Sequence, residues 1–96
     1  MKPSTEFLQF AAQFHQDIFD VCTTPEESIN TALGIFSKNE LTALSEFLDS
    51  IMEFNDSSAK FLRLWNTSDA DFLFPDLRTA QHFLLKTKSL INEKIE

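Results

Sequence analysis

Residue types that punctuate or cross-link small proteins are scarce in this chain. Its 96 residues include one Gly, three Pro and no Tyr. An all-β domain needs frequent turn residues, so this scarcity argues against that fold class. Cys22 is the only cysteine, which excludes an intramolecular disulfide. With His15 and His82 as the only histidines, the chain also offers too few of the usual ligands for a zinc site.

Long apolar runs are absent as well. No stretch approaches the roughly 20 apolar residues that a membrane-spanning helix needs. Met1–Glu6 is not followed by the uninterrupted apolar core of a secretory signal. A lone thiol is typical of a reducing compartment. We therefore expect a cytoplasmic protein that does not enter membranes.

What the chain has is aromatic bulk and helical spacing. Eleven Phe and one Trp can fill the core of a single domain spanning residues 1–96. Apolar residues recur at three- and four-residue spacing behind capping signals, which predicts an all-α fold, an irregular bundle of four to five helices. The predicted helices start near Ser4, at Thr24, at Ser37, near residue 58 and at Pro75 or Asp76.

The apolar residues of each predicted helix form a stripe that we expect to face the core. The first helix carries apolar residues through Phe14 and on to Ile18. The third ends with Ile51 and Met52, and the last starts with Leu77 and runs to about Glu93. These positions recur at the spacing of one helical face, so we expect them to contact the core.

The charge is negative and uneven. The net charge is −7, and residues 3–59 hold ten Asp or Glu but one Lys. Residues 60–96 hold five Asp or Glu and six Lys or Arg. A field of this sign repels phosphate backbones, so nucleic acid and anionic membranes are poor partners, whereas a basic protein surface is attracted. A merely soluble acidic surface is the alternative interpretation.

Catalytic chemistry is not indicated. Cys22 has no His at helical spacing, and a structural cysteine is the favoured interpretation. No Glu-x-x-His pair occurs, and one Gly cannot form a phosphate-binding loop, so we expect no metal and no cofactor. The run Phe14-His15-Gln16-Asp17 is the most distinctive local feature. We interpret it as structural, with Phe14 packed and His15 and Asp17 fixing the chain beyond the first helix.

This run also carries a resemblance. Phe7-Leu8-Gln9-Phe10 followed by Phe14-His15-Gln16-Asp17, and then the helix start Thr24-Pro25-Glu26-Glu27, resembles the small helical immunity proteins of contact-dependent growth inhibition systems. The likeness covers roughly residues 7–52. That family's run usually continues into Trp, where this chain has Ile18. The resemblance implies a cytosolic protein that binds a cognate toxin domain and blocks it.

Our first functional hypothesis is therefore an acidic module that binds a basic toxin domain. The predicted partner-binding residues are the carboxylates of the second and third helices: Glu26, Glu27, Glu40, Glu46, Asp49 and Glu53. The alternative is a non-enzymatic structural or adaptor protein that acts as a homodimer and pairs through leftover apolar surface. The expected oligomeric state of the chain is a monomer or a homodimer. The candidate apolar residues are Phe54, Trp65, Phe72 and Phe74. An enzyme is the least favoured hypothesis.

Overall fold

The computed structural model describes residues 2–15, 24–70 and 74–96. These ranges contain five helices and no strand, which confirms the predicted all-α class. The helices are α1 (Thr5–Ala12), α2 (Pro25–Leu33), α3 (Lys38–Met52), α4 (Ser57–Asn66) and α5 (Leu77–Ile95). Helix α5 packs against α2, α3 and α4, and α1 packs against α3.

The helix starts follow the capping residues in the sequence. The Ser37 hydroxyl accepts a hydrogen bond from the backbone N–H of Glu40 at 3.2 Å. The Glu40 carboxylate accepts one from the Ser37 N–H at 2.9 Å, which completes the predicted capping box. Thr24 caps α2 through a bond from the Glu27 N–H, and Asp76 caps α5 through a bond from the Thr79 N–H. Each cap satisfies a backbone donor that the helix itself leaves without a partner.

The first helix is shorter than its apolar spacing predicts. It ends at Ala12, and the N–H of Phe14 donates to the Ala11 carbonyl at 3.0 Å. This bond spans three residues rather than four, so the chain tightens at the helix end and still turns Phe14 toward the core. Ile18, the last residue of the predicted stripe, lies outside the described residues.

An aromatic cluster forms the centre of the core. Trp65 of α4 is fully buried, and its ring lies 5.2 Å from that of Phe83 on α5 and 5.3 Å from that of Phe14. Neighbouring rings meet at tilted or edge-to-face angles, the arrangements that aromatic pairs prefer. The other buried members are Phe7, Phe10, Phe61 and Phe74. Three helices (α1, α4 and α5), Phe14 just beyond α1 and the segment before α5 therefore share one set of interlocking rings.

Two expected core contacts are wrong. Met52 is 38% exposed and Leu77 is 48% exposed. Met52 is the last residue of α3 and Leu77 is the first of α5, so both side chains lie at helix ends. Next to Met52, Ile51 is fully buried and takes the core position. Spacing alone does not show where the covering elements end.

Candidate partner-binding surface

The predicted surface comes from two helices. Glu26 and Glu27 occupy the first turn of α2, where carboxylates complement the helix dipole, and both are exposed. Glu40 lies in the first turn of α3 and is half-buried. The exposed members at the other end of that helix are Glu46, Asp49 and Glu53.

The four α3 carboxylates do not share one face. Successive residues of an α-helix are separated by about 100°, so residues three, four and seven apart lie close together. Glu46, Asp49 and Glu53 have this spacing and form one exposed strip. Glu40 lies roughly 120° around the helix from Glu46. Since its carboxylate is bound to the Ser37 N–H, Glu40 serves as a cap and does not extend the strip.

Asp49 is held by an ion pair within the chain. The Lys88 ammonium on α5 lies 2.8 Å from Asp49 Oδ1 and donates to the Ser45 hydroxyl at 2.6 Å. The Lys88 side chain is only 13% exposed, whereas that of Asp49 is 58% exposed. Ser45 is itself buried. This three-residue contact joins α3 to α5, so Asp49 has a structural role in addition to any role in binding.

Glu26 is paired as well. Its carboxylate lies 3.1 Å from the ammonium of Lys86 on α5, with both side chains about half exposed (51% and 48%). An ion pair in this setting is worth little, about 0–1 kcal/mol, because water and salt screen it. A charged partner could therefore displace Lys86 at small cost. Lys86 and Lys88 thus attach α5 to the carboxylates of two different helices.

Glu46 and Glu53 differ from the other members of the surface. Both are exposed, and their carboxylates make no ion pair or side-chain hydrogen bond with any described residue. Seven residues of helix separate them by about 10 Å along its axis. Of the six predicted carboxylates, these two are the most available to a partner.

The Phe14–Asp17 run divides into a core residue and an exposed one. Phe14 is fully buried, with ring contacts to Phe10, Trp65 and Phe83. His15 is exposed. Gln16 and Asp17 lie outside the described residues, so the expected role of His15 and Asp17 in fixing the chain beyond the first helix stays a prediction.

Two of the four residues predicted for an apolar dimer surface are buried. Trp65 is fully buried and Phe74 is 7% exposed, so neither is available to a second copy. Both contribute to the aromatic cluster because α4 and the segment before α5 meet there. Phe54 is 42% exposed, and Phe72 lies outside the described residues.

Residues 2–15, 24–70 and 74–96 contain no group of three or more His, Cys, Asp or Glu placed to hold a metal ion. Within those ranges no helix combines the length and apolarity needed to cross a membrane.

Sequence reasoning missed the role of the α5 lysines. Lys88 follows the buried Thr87 and lies four residues after the buried Leu84, at one edge of the buried stripe. A long charged side chain at such an edge can lay its apolar stem along the core and reach a carboxylate on the neighbouring helix. The position of Lys88 in the sequence therefore indicates a contact with a neighbouring helix. Its partner, Asp49, is identified only by the packing of α3 against α5.

Comparison with known proteins finds no protein-family model, no curated protein and no solved structure that matches this chain.

Proposed function

We propose that this protein is a non-enzymatic binding module that neutralises a basic protein partner, as an immunity protein of a contact-dependent growth inhibition system does. The observation that supports it most directly is the α3 strip, where the exposed carboxylates of Glu46 and Glu53 have no ion-pair partner among the described residues. The proposal requires no cofactor, no nucleic acid and no membrane.

The physical basis is electrostatic complementarity. Toxin domains that hold RNA or DNA need a basic surface, and an acidic helix face can occupy that surface. Long-range attraction between a chain of net charge −7 and such a partner raises the association rate, and salt weakens it. Because two of the predicted carboxylates are already paired with Lys86 and Lys88, we place the main attraction at Glu46 and Glu53.

The test compares two double charge reversals of equal size. Glu46→Lys with Glu53→Lys alters the strip and leaves the Asp49–Lys88 contact intact. Asp69→Lys with Glu93→Lys changes the net charge equally at two other exposed positions, one after α4 and one near the end of α5. Each purified protein is used to capture partners from a lysate of the source organism at low and at high salt.

We expect the wild type and the Asp69/Glu93 variant to capture the same basic protein at low salt. The Glu46/Glu53 variant should bind it with an association rate about tenfold lower, in proportion to the lost steering. Equal capture and equal association rates in the two variants would show that this strip is not the binding surface. Capture of no basic protein by the folded wild type would contradict the proposed function.

A further inference from the structure

The outward side of α5 is free of acidic residues over most of its length. Residues 77–92 contain no Asp or Glu, although the chain has a net charge of −7. Arg78 and His82 are exposed, and neither makes an ion pair or a side-chain hydrogen bond with any described residue. Leu85 is 47% exposed. These three residues, the α5 face, therefore combine N–H donors with an apolar side chain.

The α5 face is a single patch of the helix. Successive residues are separated by about 100°, and Leu85 follows Arg78 by seven residues and His82 by three, so the three side chains lie within about 60° of one another. Thr87, at the centre of the buried stripe, follows Arg78 by nine residues and lies about 180° around the helix. The α5 face therefore points away from the core.

The Lys88–Asp49 contact places the α5 face next to the α3 strip. This ion pair, at 2.8 Å, joins the adjoining edges of the two helices. Glu46 and Glu53 lie within about 60° of Asp49 around α3, and Leu85 lies about 60° from Lys88 around α5. Since Glu46, Glu53 and Leu85 are exposed, they lie on the outer side of this contact. The α3 strip and the α5 face are therefore side by side on one outer surface.

We propose that this surface binds a second copy of the chain, with α3 of each copy against α5 of the other. Charge complementarity favours this occupant, because the carboxylates of Glu46 and Glu53 can accept hydrogen bonds from Arg78 and His82. A two-fold rotation about an axis along the α3–α5 contact exchanges the two helices, so one arrangement forms both contacts at once. A symmetric dimer requires such a self-complementary surface, and this one also covers Leu85 of each copy.

The net charge limits the strength of this dimer. Two chains of charge −7 repel each other at long range. Salt screens charges separated by more than about 8 Å at physiological ionic strength, whereas partly buried ion pairs are screened less. We therefore expect a weak dimer, with a Kd in the micromolar to millimolar range. The dimer does not depend on the proposed function, but it covers Glu46 and Glu53, so it and a complex with a basic partner exclude each other.

Complementary charge reversals test the arrangement. The basic variant, Glu46→Arg with Glu53→Arg, has basic groups on both helices of this surface. The acidic variant, Arg78→Glu with His82→Glu, has acidic groups on both. Either variant alone should stay monomeric, whereas an equimolar mixture restores both contacts and should form a heterodimer. Association is measured by sedimentation equilibrium at physiological salt over a series of protein concentrations.

Two controls separate this surface from net charge and from apolar exposure in general. The Asp69→Lys and Glu93→Lys variant has the same net charge as the basic variant but keeps the α3 strip, so its mixture with the acidic variant should not form a heterodimer. Leu85→Ser should weaken the wild-type dimer about tenfold, because each copy loses a covered apolar side chain. Ile35→Ser, at a 53% exposed side chain beyond α2, should leave the affinity unchanged. All of the replaced side chains are exposed, so helical circular dichroism should stay at the wild-type level.

The outcomes distinguish this inference from the proposed function. A wild type that stays monomeric up to millimolar concentration would overturn the inference, as would a failure of the basic and acidic variants to form a heterodimer. Equal dimerisation of the Leu85 and Ile35 variants, or association of the acidic variant with the Asp69/Glu93 variant, would do the same. Because no other protein is present, a monomeric result leaves the proposed function in place, and a failure to capture a basic protein leaves the dimer in place.

Discussion

Replacing Lys88 with Met should weaken the bundle, because this side chain makes the polar contact that joins α3 to α5. Met keeps most of the apolar stem and removes the ammonium that lies 2.8 Å from Asp49 and 2.6 Å from the Ser45 hydroxyl. Ser45 is 6% exposed and would lose its donor, at a cost of about 1 kcal/mol. Asp49 is 58% exposed and would regain water, so its share is reduced to about 0–1 kcal/mol.

The expected loss of unfolding free energy is therefore about 1–2 kcal/mol. For a domain of this size, that corresponds to a fall in Tm of roughly 5–15 °C. The assay is urea unfolding monitored by helical circular dichroism. The variants can be compared directly if the slope of the unfolding free energy against urea concentration is the same for each.

Lys86→Met is the matched control. It removes the same group two positions away, from a pair whose side chains are 48% and 51% exposed, and should change stability by less than about 0.5 kcal/mol. If the two variants unfold at the same urea concentration, the Lys88 contact does not stabilise the α3–α5 interface and the reasoning from its burial is wrong. The contact also explains why Asp49 is left unchanged in the charge-reversal test of the proposed function.

Two further predictions address the Phe14–Asp17 run and the start of α5. Phe14→Ala removes a fully buried ring and should lower the free energy of unfolding by about 3–5 kcal/mol. His15→Ala, at an exposed position, should change it by no more than about 0.5 kcal/mol. Equal urea midpoints for the two variants would refute the core role of Phe14. The pKa of Asp76 lies below its ordinary value of 3.8, chiefly because the backbone N–H of Thr79 donates to the carboxylate, with the Thr79 hydroxyl second. The ionised group therefore stabilises the fold above pH 3.8, and this contribution is lost as the pH falls through the lowered pKa. Asp76→Asn should flatten the pH dependence of stability in that acidic range, and an unchanged profile would contradict the assigned cap.

The sequence predicted the helices well where local chemistry determines them. The capping box of Ser37 and Glu40 involves residues three apart, and both of its hydrogen bonds are present. Thr24 and Asp76 likewise mark helix starts through bonds to nearby backbone groups. Such contacts depend on a few neighbouring residues, so a linear pattern contains the information they need.

Features that depend on how helices meet were harder to predict. Met52 and Leu77 belong to apolar stripes and are nevertheless exposed. Apolar spacing shows which face of a helix is apolar, but it does not show how far a neighbouring helix covers that face. Trp65 and Phe74 were candidates for leftover apolar surface and are instead buried in the aromatic cluster. Their burial requires α4 and the segment before α5 to converge, which no local pattern encodes.

In the candidate surface, too, some features follow from the local sequence and others depend on how the helices pack. The exposure of Glu46 and Glu53 follows from the amphipathic pattern of α3, since both lie opposite its buried residues. The pairing of Asp49 with Lys88 joins residues that are far apart in the chain and required the packed structure. The sequence therefore predicted the exposure of Glu46, Asp49 and Glu53 but not that Glu40 is half-buried, and the structure identified Asp49 as already paired.

Neutralisation of a captured partner tests the central proposal most directly. The basic protein bound by the wild type is expressed alone in bacterial cells, and growth is compared with cells that also express the wild type, the Glu46/Glu53 variant or the Asp69/Glu93 variant. We expect the partner alone to arrest growth, the wild type and the Asp69/Glu93 variant to restore it, and the Glu46/Glu53 variant to restore it poorly. If the partner leaves growth unaffected, or if the folded wild type does not relieve the arrest, this chain does not neutralise a toxic basic protein.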